Sequence, residues 1–118
     1  MATITPTVAK AGNNGSDNVY IATWASIGDS DTCTAIQMCG AADRSVQITG
    51  TFNSATVVIQ GSNDGTNYVT LTDPQGNAIS KTSAGIEQVE ELTRYIKPSS
   101  SGGSSSSTTV SLLLKGQF

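Results

Sequence analysis

The sequence predicts an all-β fold: a single-domain antiparallel β-sandwich, jelly-roll or immunoglobulin-like, of about seven to eight short strands. Three observations predict it. Apolar residues recur at every second position in short runs such as "RSVQITG" and "ATVVIQG", the period of a pleated strand with one covered face. Turn formers such as "SNDG" and "DPQGN" separate the runs, at the spacing of about 8–12 residues typical of sandwiches. Serine and threonine supply 16 residues each and charged residues only 13%, a composition suited to strands and turns rather than to a disordered polyelectrolyte.

Taken in order, residues 1–18 are rich in Thr, Asn and Gly with Pro6 and no sustained period, and read as an N-terminal arm or a short edge strand followed by a loop. The sandwich domain is expected over residues 19–118. In "NVYIATWAS", Tyr20, Ala22 and Trp24 alternate with Val19, Ile21 and Thr23, a strand with apolar groups on both faces. "CTAIQMC" is a second candidate strand. "RSVQITG" puts Val46 and Ile48 on one face, and "ATVVIQG" does the same with Ala55, Val57 and Ile59.

"NYVTLTD" opposes Val69 and Leu71 to Tyr68, Thr70 and Thr72 and pairs with the preceding strand through the turn Ser62-Asn63-Asp64-Gly65-Thr66-Asn67, whose residue types favour tight reversal. Asp73-Pro74-Gln75-Gly76-Asn77 fits a β-turn leading into "AISKT". "GIEQVEELTRYIKP" carries both helical and alternating spacings, and its second half reads better as a strand entering Pro98. "SSSGGSSSS" over 99–107 reads as a Ser/Gly loop inside the domain, because "TTVSLLLKG" beyond it alternates as a final core strand. The expected inward set is Ile21, Val46, Ile48, Val57, Ile59, Val69, Leu71, Ile96, Val110, Leu112 and Leu114.

The same residues bound the chemistry. The six Lys and Arg are scattered singly, so no basic stripe exists to follow a phosphate backbone, and direct nucleic-acid binding is not expected. No apolar run approaches the ~20 residues of a membrane helix, and the N-terminus lacks a charged and apolar leader pattern. The expected location is therefore the cytoplasm unless another export route operates, and Asn14-Gly15-Ser16 reads as a turn rather than a glycosylation site.

Cys33 and Cys39 would stand about 20 Å apart in an extended strand, too far for a disulfide. Buried free thiols, a disulfide across a tight bend, or metal or redox chemistry are the open readings. With no His and no further Cys, a zinc site lacks ligands. Asp29-Ser30-Asp31 and Asn63-Asp64 offer oxygens for calcium but match no complete loop pattern, and turn formation explains them better. No nucleophile, base or phosphate-loop motif is present, so no catalytic, cofactor-binding or metal-ligating residue is expected. Trp24, Tyr20 and Tyr68 could stack sugars, or Trp24 could pack in the core or at an interface.

"VVIQGSNDGTNYVTLTDPQGN", "EELTRYIKP" and "TTVSLLLKG" together resemble small virion structural proteins of tailed bacteriophages, over about residues 52 to 116. In that family a QGSNDG-x-x-[WY]-x-x-L hairpin precedes an R-Y-I-[RK]-P strand and a terminal V-x-L-L strand. The resemblance implies a non-enzymatic head decoration or cement protein. Its implied partner is the major capsid protein lattice, its implied state a homo-oligomer with a trimer favoured, and its implied place the outside of the virion after assembly in the host cytoplasm. A tail, adaptor or head–tail joining protein of the same virion is the alternative within that class. The hairpin is also similar to part of discoidin-type jelly rolls, which would make the chain a carbohydrate- or host-surface-binding module. It departs from them in lacking flanking cysteines and clustered loop aromatics.

Overall fold

The structure is a computed structural model and describes residues 2–10, 18–37 and 40–116. Among them no residue is helical, and twelve strands follow one another. They are β1 (Thr3–Ile4), β2 (Thr7–Lys10), β3 (Val19–Ile27), β4 (Thr32–Cys33), β5 (Ile36–Gln37), β6 (Asp43–Thr51), β7 (Ala55–Ser62), β8 (Val69–Thr70), β9 (Ser80–Lys81), β10 (Gly85–Gln88), β11 (Tyr95–Gly102) and β12 (Ser107–Lys115). The first sheet has the order β10-β6-β12-β3-β2; the second runs β5-β11-β7-β8, with β9 also pairing β7. Pairing is antiparallel except between β1 and β4. The chain is thus the β-sandwich that its alternation predicts.

Alternation explains which side chains meet in the middle. Trp24, Val46, Val110 and Leu112 of the first sheet face Ile59, Ile96 and Pro98 of the second around a small interior gap, and all of the nonpolar side chains but Pro98 belong to one buried cluster with Ala22, Ile48, Val57, Leu71, Ile79 and Leu114. Each such large side chain contributes roughly 1.5–3 kcal/mol of burial before chain entropy is set against it. Trp24 is 1% exposed, and its indole Nε1 donates to Thr34 O at 2.8 Å, which satisfies its one polar group.

Two of the expected inward residues are elsewhere. Ile21 is half-buried on the outer side of β3, whose inner face carries Ala22 and Trp24. Both faces of that strand are apolar, so its period alone does not choose between them. Val69 is 65% exposed because β8 is only two residues long and lies at the edge of its sheet.

Other boundaries also differ from expectation. The strand count rises from seven or eight to twelve because "CTAIQMC" splits into the short β4 and β5, the N-terminal segment forms β1 and β2, and Gly85–Gln88 form β10. Residues 2–10 of the expected arm are therefore sheet edge: β1 lies along β4, and Thr7–Lys10 pair with Thr23 to Tyr20 of β3. The remainder of that arm with its Asn14 sequon, residues 11–17, lies outside the described residues, as does Cys39. The Ser/Gly segment is mostly strand, since Ser99 to Gly102 pair with Val58 to Ala55, leaving 103–106 as the turn. Both parts of the ambiguous segment are extended, as β10 and the start of β11.

Candidate functional site

The turns are the first place to look for function, and their polar groups are turned inward. In Ser62–Asn67, Ser62 Oγ donates to Asp64 Oδ1 at 2.8 Å and accepts from the amides of Asp64 and Gly65. Asp64 Oδ1 also accepts from the amides of Thr66 and Asn67, and Oδ2 from Asn67 Nδ2, each at 2.8 Å. These donors, the Asn67 and Thr66 amides foremost, hold the Asp64 carboxyl far below its ordinary value. Asn63 does not bond its own loop as its residue type suggests; its Oδ1 accepts from the Arg94 amide at 3.0 Å, joining the loop to the segment entering β11.

The other acidic turn is used in the same way. Asp29 accepts from the Ser105 amide at 2.7 Å and from the amide and hydroxyl of Ser106, and the Ser106 bonds are the main reason its carboxyl is lowered. Asp31 accepts from the Gly28 amide at 2.8 Å and the Ala2 amide at 2.9 Å, which lower it in turn. Asn53 closes the same end, donating from Nδ2 to Ser105 O and accepting the Ser104 amide on its own carbonyl. Among the described residues no group of three or more His, Cys, Asp or Glu side chains could hold a metal ion. Of the residues singled out for calcium, Asp64 locks its own turn, Asp31 holds the Gly28 and Ala2 amides, and Asp29 and Asn63 tie their turns to distant segments. Cys33 is a buried free thiol that burial pushes up to about 11, against the opposing pull of Lys97.

The sugar platform read from the aromatics is not assembled. Trp24 is buried between the sheets, Tyr20 is half-buried on β3 of the first sheet, and Tyr68 is half-buried beside Lys97 of the second.

What the second sheet does present outward is a group that the sequence reading did not connect. Tyr95 and Lys97 alternate onto the outer face of β11, beside Gln37 of β5 and Gln60 of β7. Lys97 Nζ sits 4.3 Å from the centroid of the Tyr68 ring, and Arg94 Cζ 5.3 Å from that of Tyr95, both within cation–π range. With its side-chain amide turned to satisfy both partners, Gln37 accepts from Arg94 Nε at 3.0 Å and Nη2 at 3.3 Å. Gly65, at φ +79°, lets the loop lie against Tyr95: a Cβ there would stand 3.1 Å from the ring. Burial first, then the Tyr95 phenol and the Asp64 carboxylate, raise the Tyr68 phenol above its ordinary value, so it remains a hydrogen-bond donor.

Beneath this face lies a buried polar anchor. Arg44, 3% exposed, donates from Nε to Ala41 O at 2.8 Å, from Nη2 to Thr93 O at 2.9 Å and from Nη1 to Thr93 Oγ1 at 3.3 Å. It ties the first sheet to the segment that carries Arg94. On the outside of the first sheet, Asp43, Ser45, Gln88, Leu113 and Lys115 border an open depression of about 300 Å³ with no convergent polar groups of comparable order.

A scan of protein-family models finds no match to the chain, and a search of curated proteins finds none either.

Proposed function

We propose that the protein is a non-enzymatic virion structural protein of a tailed bacteriophage, a decoration or cement protein that binds the major capsid protein lattice from outside and stabilises the head as a homo-oligomer, a trimer being favoured. The observation that carries this reading is the way the resembling motifs come together. The "QGSNDG" hairpin and the "RYIKP" strand, about thirty residues apart in sequence, form one braced face joined by Asn63 and Arg94. The acidic groups of the turns are consumed in holding the sandwich, which leaves side chains suited to adhesion. Contacts repeated over a closed shell gain strength through avidity, so each copy needs only a modest surface.

The direct test adds purified protein to phage heads that lack it and follows co-sedimentation and the temperature of genome release. Saturable attachment with a higher release temperature supports the proposal. Absence of attachment at saturating protein overturns it.

A further inference from the structure

We infer that the face formed by Tyr68, Tyr95, Arg94 and Lys97 docks an acidic segment of a partner protein, one that presents Asp or Glu carboxylates. The inference rests on the reading of the chain as an adhesive structural protein and names the chemistry of the surface it would meet.

Positive charge is left without an ion-pair partner at one place on the second sheet. The chain carries a net charge of −3 with six Lys and Arg. Lys81 pairs with Glu87, Arg44 is buried against Ala41 and Thr93, and Lys115 stands in register with Asp43. Lys10 lies at the end of the edge strand β2. Arg94 and Lys97 are three residues apart beside the two tyrosine rings, and among the described residues neither forms an ion pair. The acid of the adjoining loop, Asp64, forms no ion pair with either among the described residues, its carboxylate being turned into its own loop, where it accepts four hydrogen bonds.

The second step is order. A surface lysine ordinarily loses considerable side-chain freedom on binding. Here each cation rests on an aromatic ring, Gln37 holds two nitrogens of the Arg94 guanidinium and leaves Nη1 directed away from that bond, and Asn63 fixes the Arg94 backbone. The cost of ordering is largely met before a partner arrives. The two phenol hydroxyls have no protein partner among the described residues and add neutral donors at the rim of the same face. Tyr and Arg are the residue types that most often anchor protein interfaces.

The third step chooses among ligands. A neutral sugar stacks on an open ring face, yet each of these rings has a cation over one face, and Gly65 lies against Tyr95 as well. A carboxylate, in contrast, meets two fixed positive charges and two donors.

The test titrates the ¹⁵N-labelled protein with a hexaglutamate peptide, using hexalysine and maltohexaose as controls, and follows amide shifts. Expected are saturable shifts confined to Gln37, Gln60, residues 62–70 and residues 94–97, weakening as salt rises. An Arg94→Gln/Lys97→Gln double variant is expected to lose about tenfold or more in affinity, and Tyr68→Phe a smaller part, with the remaining spectrum unchanged. Lys115→Gln serves as a control expected to bind as before. Shifts spread over both sheets, hexaglutamate binding indifferent to the double variant, or saturable binding of maltohexaose without hexaglutamate would each overturn the inference. Particle attachment is measured separately, so a protein that decorates heads but ignores hexaglutamate refutes this inference alone.

Discussion

Gly61→Ala is the substitution that most sharply separates a tightly interlocked sandwich from a generic one. In an unconstrained strand, alanine in place of glycine helps, by about 0.4–1 kcal/mol through the unfolded chain. At Gly61 a Cβ would lie 2.6 Å from Thr93 Oγ1, 2.7 Å from Thr93 Cγ2 and 3.0 Å from Leu71 Cδ1. Leu71 is 1% exposed and Thr93 8% exposed, so neither can swing into solvent. Thr93 is also held from three directions, its hydroxyl donating to Tyr95 O at 2.7 Å while Arg44 donates to its Oγ1 and its carbonyl.

Overpacking of this kind costs about 1–3 kcal/mol, and disturbing hydrogen bonds from a charged group adds about 1.5–3 kcal/mol. After the unfolded-state gain the net loss is about 1.5–5.5 kcal/mol. Urea unfolding followed by Trp24 fluorescence reads it, as a midpoint lowered by about 1–3.5 M for a slope near 1.5 kcal/mol/M. Combining Gly61→Ala with Thr93→Ala should cost less than the sum of the two. A midpoint that stays put or rises in Gly61→Ala would refute the reasoning.

Other outcomes follow from single features. Asp29, Asp31 and Asp64 are all lowered from their ordinary value of 3.8, so below neutrality the unfolded chain takes up protons first. The stability these bonds provide is present above the unfolded value and lost as pH falls through the folded ones; urea midpoints should be flat from pH 7 to about 5 and then decline, and a midpoint rising on acidification would contradict the assignment. Asn53 and Ser54 both have positive φ, 45° and 71°, with the Ala55 amide bonding Phe52 O; Ser54→Gly should therefore stabilise by about 0.5–1 kcal/mol, seen as a Tm increase of about 2–5 °C. Cys33 should resist iodoacetamide in the folded protein and react in urea, as read by peptide mass spectrometry.

Much of the fold is legible because one-sided burial writes itself into alternation. Val46 with Ile48, Val57 with Ile59, and Val110 with Leu112 and Leu114 announce both their strands and their inner faces. Where that signal is absent, long-range pairing decides. Ser99 to Gly102 carry little to bury and read as loop, yet they extend β11 because β7 offers a complete ladder. Pro98 would argue against a central strand. Its register partner Ile59 turns both backbone groups toward Ile79 and Leu71, so the missing N–H of Pro98 points to the other edge, where β5 has already ended.

The candidate face was the least legible part for the same reason. Asn63 with Arg94, Gly65 with Tyr95, and Tyr68 with Lys97 are each brought together by the β7–β11 ladder across about thirty residues, and no local period encodes such a meeting. The turns gave a partial signal. Asp64 and Asp73 behave as their residue types suggest, Asp73 Oδ1 accepting from the amides of Gln75 and Asn77. Asp29 and Asn63 reach across the fold instead, and sequence spacing is silent about such reach.

The measurement that bears most directly on the proposed function is the ratio of this protein to the major shell protein in purified particles, determined by quantitative mass spectrometry. A fixed ratio on the order of one copy per shell subunit or per few subunits is expected of a protein that covers a lattice. A count that fills only a single ring, or none in intact particles, would contradict it.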